Sequence, residues 1–155
     1  KTLANSIAPI LTTIFQSSVN SGSLPKDWLG ANISSAFKKG DRHDPSNYRP
    51  ISLTSVPCKL LEHIICRHIM NFLDSHNVLT NLNHGFRSGY STETQLITTT
   101  HDLLRSYDQG RQLDMAILDF SKAFDTVPHE HLLHKLSHYG ITGTLHQWLR
   151  CFLTQ

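Results

Sequence analysis

The sequence predicts an α+β fold that is rich in helix and poor in strands. Three observations lead to this. Apolar residues recur at three- and four-residue intervals in several separate segments, the mark of helices with one buried face. Glycines at 22, 110 and 140 stand just past the ends of such segments, where helices stop. Extended candidates are few and short, in the order helix, short strands, two helices, strand, two helices, unlike the regular alternation of βαβ units.

In chain order, Leu3, Ile7, Ile10, Leu11, Ile14 and Phe15 make one helical face from about residue 2 to 20, stopping near Gly22. Leu24 to Trp28 is a connector. Ala31 to Phe37 reads as a strand with Ile33 and Phe37 its larger apolar members, and Lys38-Lys39-Gly40-Asp41 turns it. Asp44 to Asn47 is loop chemistry. Arg49 to Leu53 is a short extended segment, whose Pro50 confines it to a strand start, an edge or a bulge. From Pro57 to about residue 75 a stripe of Leu60, Leu61, Ile64, Ile65, Ile69, Phe72 and Leu73 predicts a helix. Residues 81–89 form a loop. Thr92 with Gln95 predicts a capping box for a helix whose buried face is Leu96, Ile97, Leu103, Leu104 and Tyr107, ended by Gly110. Leu113 to Phe120 is the best strand candidate and expects partner strands outside this chain. Pro128 and Glu130 suit the first turn of a helix carrying Leu132, Leu133, Leu136 and Tyr139, with Gly140 its stop. A last helix starts near Gly143 and is still amphipathic at the final residues. Both ends read as cut from something longer.

The 155 residues are 39% hydrophobic and 17% charged, as in a globular chain. The net charge of +2 neither demands nor excludes a nucleic-acid partner. Cys58, Cys66 and Cys151 are too few and too irregularly spaced for a disulfide framework, and suit a reducing, intracellular compartment. No apolar run approaches the ~20 residues that span a bilayer, so no membrane partner is expected. Of the 11 His, His134 and His138 lie one helical turn apart, as paired metal ligands can. With His129 and His131 they fit the exposed side of a helix better than a zinc site, and Cys58, Cys66 and His68 lack finger spacing.

The most informative stretch is Leu118 to His129, LDFSKAFDTVPH. On a strand, Met115, Ile117 and Asp119 face one way and Ala116, Leu118 and Phe120 the other. An acid at the end of a buried run sits at the rim of a sheet, where it either caps the following turn or holds a hard divalent cation through oxygen. A single carboxylate does not complete a two-metal site, which needs several oxygens.

This stretch resembles the first catalytic motif of reverse transcriptases from non-long-terminal-repeat (LINE-type) retrotransposons. FKKGDR (37–42), DPSNYRPISL (44–53), KLLE (59–62), HGFRSGYST (84–92) and GI (140–141) are similar to that family in the same order, and LPKDW (24–28) resembles its upstream segment. The resemblance implies the fingers and partial palm of a right-hand polymerase, truncated before the catalytic hairpin. Residues 1–30 would be an upstream helix and connector, 31–112 the fingers and fingers–palm helices, and 113–155 the start of the palm.

The same resemblance implies that Asp119 is a metal-binding catalytic residue and that the backbone carbonyl of Phe120 touches the metal. It implies that Phe124 packs under the incoming sugar and selects deoxynucleotides, although a core aromatic is the plainer reading of that residue. Arg49 matches a triphosphate contact, in keeping with bidentate phosphate binding by a guanidinium. Lys38 or Lys39 supplies a second phosphate contact or decorates a solvated turn. Arg87 contacts template or orders the nucleotide pocket. Asp125 is expected to be structural, capping the helix that starts at Pro128. The cofactor implied is Mg2+, with Mn2+ an alternative, only once the missing palm carboxylates are supplied. The partners implied for a full-length protein are RNA template, DNA primer and deoxynucleoside triphosphates.

The chain contains no adjacent pair of aspartates, so the family's Phe/Tyr-x-Asp-Asp turn is absent from it. The expectation is a fragment inactive as a polymerase alone. The alternative is a non-catalytic nucleic-acid-binding or degraded retroelement remnant.

Overall fold

The computed structural model describes residues 3–154, which fall into two compact units. The expected helix start at residue 2 lies outside the described residues.

The first unit takes its residues from Lys1–Ile69 and Pro128–Gln155. Helix α1 (Ala4–Ser21) ends where Gly22 turns left-handed at φ 62°. The N–H groups of Gly22 and Ser23 then satisfy carbonyls of the last turn, Val19 O and Ser18 O. The connector at 24–28 contains one short helical turn, α2 (Lys26–Leu29), opened by Pro25. Strands β1 (Asn32–Phe37) and β2 (Tyr48–Leu53) pair antiparallel as a hairpin. Lys38 N–H donates to Asn47 O, which makes Lys38 and Asn47 a hydrogen-bonded pair. Alternation then places Ser35 and Pro50 at a non-hydrogen-bonded pair, where β1 asks no donor of the proline. Phe37 and Tyr48 also fall at a non-hydrogen-bonded pair, where side chains approach closely, and their rings meet edge to face at 5.5 Å.

Helix α3 (Val56–Ser75), α5 (His129–His138) and α6 (Gly143–Thr154) match the expected positions. The core of this unit is Leu61, Ile65 and Trp148, with Phe15, Val19, Leu24, Trp28, Ile69, Leu145 and Leu149 packed around them. Trp148 is 1% exposed, and its indole N–H donates to the buried Ser18 Oγ at 3.0 Å. Ser18 Oγ in turn donates to Ser23 O. The buried face of α1 is therefore Leu11, Phe15, Ser18 and Val19, whereas the expected Leu3, Ile7, Ile10 and Ile14 stay exposed. The apolar stripe of α1 is wider than the surface it packs on. Leu133 and Ile141 are buried where α5 meets α6, and His146 Nε2 lies 2.9 Å from Leu133 O.

The second unit, Met70–Val127, holds the end of α3, a long loop, α4 (Thr92–Asp108) and an irregular segment. The capping box of α4 is made by Ser91 and Thr94, one residue earlier than Thr92 with Gln95. The expected buried face of α4 is corrected too: Leu96, Ile97, Leu104 and Tyr107 are exposed and only Leu103 is half-buried. The expected strand from Leu113 to Phe120 does not form; residues 111–120 are irregular and exposed throughout. A ladder needs a partner, and no strand among the described residues pairs with this run. No helix among them is long and apolar enough to cross a membrane.

Candidate nucleotide-binding and metal-ligating residues

The two units carry different parts of the expected residue set. In the first, Ala36 and Arg49 face one another across the hairpin. Lys38 extends the same face by one step through its backbone bond to Asn47. Gly40 shapes the intervening loop at φ 92°, where a Cβ would meet the Asn47 side chain at 2.8 Å. Asn47 Nδ2 donates to Asp41 O, Tyr48 Oη to Arg42 O, and Arg42 lies over the Phe37 ring. Asp44 accepts from Ser46, which holds its carboxyl below the usual range. The loop is thus tied by its own side chains. Lys38, Lys39 and Arg49 are exposed, and their side chains take no hydrogen-bond or ion-pair partner among the described residues. Cations left out of the local network in this way are available to an anion.

In the second unit, Arg87 is anchored inward. Its guanidinium donates to Asp74 Oδ1 and Thr80 O, both at 2.8 Å, and lies 4.7 Å from the Tyr90 ring centroid. Its side chain is 10% exposed. His84 meets Thr94 Oγ1 at 2.7 Å and stands edge-on to Tyr90. These contacts tie the loop at 76–91 to both of its flanking helices. Such geometry orders a loop; it does not present Arg87 outward.

Asp119 and Phe120 lie in the exposed irregular run, and the Asp119 carboxylate has no polar partner among the described residues. A turn follows, in which Asp125 and Thr126 N–H groups both donate to Lys122 O. The expected capping by Asp125 is not made: Pro128 stands at the N-cap of α5 without any side-chain hydrogen bond. The proline occupies the cap position itself and has no polar side chain to offer the first-turn N–H groups. Phe124 is 76% exposed, so it is not a core aromatic; its ring meets Phe86 edge to face at 5.9 Å. Phe86 was not among the residues expected from sequence. The signal for it was a phenylalanine, with no polar tip, within the otherwise polar loop HGFRSGYST.

Among the described residues no three His, Cys, Asp or Glu side chains group as a metal ion would need. A hard divalent ion takes six or more oxygens, and Asp119 with the Phe120 carbonyl offers only part of that set. The residues present therefore do not complete a metal site by themselves.

The reverse transcriptase (RNA-dependent DNA polymerase) family profile matches residues 37–155, which include Lys38, Lys39, Arg49, Phe86, Arg87, Asp119, Phe120, Phe124 and Asp125. The chain belongs to the reverse transcriptase family. It is 32% identical over 124 residues to a probable RNA-directed DNA polymerase from transposon BS of Drosophila melanogaster, covering 76% of this chain and 14% of that protein. It is also 32% identical over 126 residues to the RNA-directed DNA polymerase from mobile element jockey of the same fly, covering 81% of this chain and 14% of that one. With a Pol polyprotein from the type-1 retrotransposable element R2 of Popillia japonica it shares 28% identity over 125 residues, 77% of this chain and 16% of the relative. The chain thus spans only a small part of the relatives it matches. Its resemblance to non-long-terminal-repeat reverse transcriptases holds across most of its own length.

Proposed function

We propose that this chain is the fingers and the start of the palm of an RNA-directed DNA polymerase. In this reading Asp119 and the Phe120 carbonyl give oxygens to the divalent ions of two-metal nucleotidyl transfer, Mg2+ or Mn2+. Phe124 packs under the incoming deoxyribose. Arg49, with Lys38 or Lys39, contacts the triphosphate. Arg87 orders the loop that carries Phe86 and does not touch template. The template is RNA, the primer DNA and the substrates deoxynucleoside triphosphates.

One observation carries the reading. The reverse transcriptase profile runs over residues 37–155, and Lys38, Lys39, Arg49 and Asp119 stand exposed within it.

A lone carboxylate gives poor support to charge developing at the α-phosphate. The 155-residue chain is therefore inactive by itself. The test is primer extension on an RNA template with deoxynucleotides and Mg2+. No extension is expected; template-dependent extension that disappears with Asp119→Ala overturns the inactivity of the chain alone, whereas extension that survives Asp119→Ala overturns the role given to Asp119.

The exposed cations Lys38, Lys39 and Arg49 also fit a second reading, a nucleic-acid-binding remnant. On that reading the chain binds an RNA–DNA hybrid with a salt dependence that loses about one counterion for each of Lys38, Lys39 and Arg49 replaced by alanine. Lack of cooperative unfolding would instead indicate a degraded fragment.

A further inference from the structure

We propose that Phe86 is a second determinant of sugar selection, acting as a buttress for the Phe124 ring. The proposal rests on the reading of Phe124 as the residue beneath the sugar. Phe86 adopts φ 58°, a left-handed conformation that bulky residues rarely take. Such strain persists only when the surroundings over-determine it. Here the neighbouring Arg87 is anchored at Asp74, at Thr80 and over Tyr90, which fixes the path of the loop.

The conformation is not spent on burial, because Phe86 remains 89% exposed. What it achieves is one contact: its ring meets Phe124 at 5.9 Å with an interplanar angle of 87°. This is the attractive edge-to-face geometry of aromatic pairs. Phe124 is presented from the other side by a turn whose Lys122 is also left-handed, at φ 51°. Two uncommon backbone conformations therefore bring two exposed rings together. A ring that excludes a 2′-hydroxyl by steric contact fails when it can rotate aside. An edge contact from Phe86 restrains that rotation.

The experiment uses a full-length polymerase containing this segment and compares kcat/KM for deoxy- and ribonucleotides. Phe86→Asn removes the ring but keeps a residue that tolerates the left-handed backbone. It is expected to lower discrimination about two- to tenfold, through a lower KM for the ribonucleotide. Phe86→Tyr is expected to restore it. Loss of discrimination in Phe124→Ala with none in Phe86→Asn overturns the buttress and leaves the gate standing. Unchanged discrimination in Phe124→Ala overturns the gate and the buttress with it. On the 155-residue chain, fluorine NMR of 4-fluorophenylalanine at position 124 should shift with Phe86→Asn and not with Phe86→Tyr. An unmoved resonance shows that the ring contact is absent, which also overturns the proposal.

Discussion

Ser18→Ala is the sharpest test of how the first unit is held together. The hydroxyl of Ser18 accepts the Trp148 indole N–H at 3.0 Å and donates to Ser23 O at 2.6 Å. Both Ser18 and Trp148 are buried, at 5% and 1% exposure. Alanine fits the space but leaves the indole N–H without a partner and without access to water. A buried donor orphaned in this way costs about 1–3 kcal/mol, more than the ~1 kcal/mol net worth of an ordinary hydrogen bond. For a domain of this size that corresponds to a fall in Tm of about 2–12 °C.

The assay is urea unfolding followed by tryptophan fluorescence. Trp148→Phe removes the indole donor, so in that background Ser18→Ala should cost only the bond to Ser23 O, about 1 kcal/mol, and less than in the parent chain, with Trp28 remaining as reporter. A Ser18→Ala cost that is equally large in the two backgrounds refutes the reasoning, as does a cost below about 0.5 kcal/mol in the parent chain.

Further outcomes follow from other contacts. Gly22→Ala should destabilise by about 1–2 kcal/mol in urea unfolding, because φ 62° strains any residue with a Cβ and that Cβ would press on Gln147. Burial, and then Glu62, push the Cys58 thiol up from 9.0 to about 12. The unfolded chain therefore releases this proton at lower pH than the folded one. Stability should be intact below about pH 9 and fall as pH rises from there to about 12, a slope that Cys58→Ala removes. At pH 8 iodoacetamide should label exposed Cys66 well before buried Cys58, as peptide mass spectrometry can read. Arg87→Met should speed amide hydrogen exchange in the loop at 80–91 by removing its bonds to Thr80 and Asp74. Arg87→Lys should recover only part of the protection, since it lacks the fork and the flat stacking surface.

What could be read from the sequence was what neighbours in the chain decide. The periodicity of α3, the glycine stop of α1 and the proline at the start of α5 are local, and all three appear where expected. The bond from Trp148 to Ser18 joins residues 130 apart, and a serine gave no hint that it belonged to a buried face. Leu113 to Phe120 has strand composition, but strand formation also depends on pairing, and the described residues offer it none. The site divides in the same way. Asp119 and Arg49 became candidates from the sequence because the motifs name residue types. The inward anchoring of Arg87 and the approach of Phe86 to Phe124 depend on the path of a loop. This has a consequence for Asp119. No sheet rim holds it; on its C-terminal side the contacts nearest to it in the chain are the Lys122 turn and the Phe86–Phe124 pair, and on its N-terminal side, among the described residues 113–118, there is only the long 3.4 Å bond from Gln112 to Asp114. A double change such as Phe86→Asn with Lys122→Pro should therefore displace Asp119 more than any single change between Leu113 and Leu118. Amide chemical shifts along this run test that ordering.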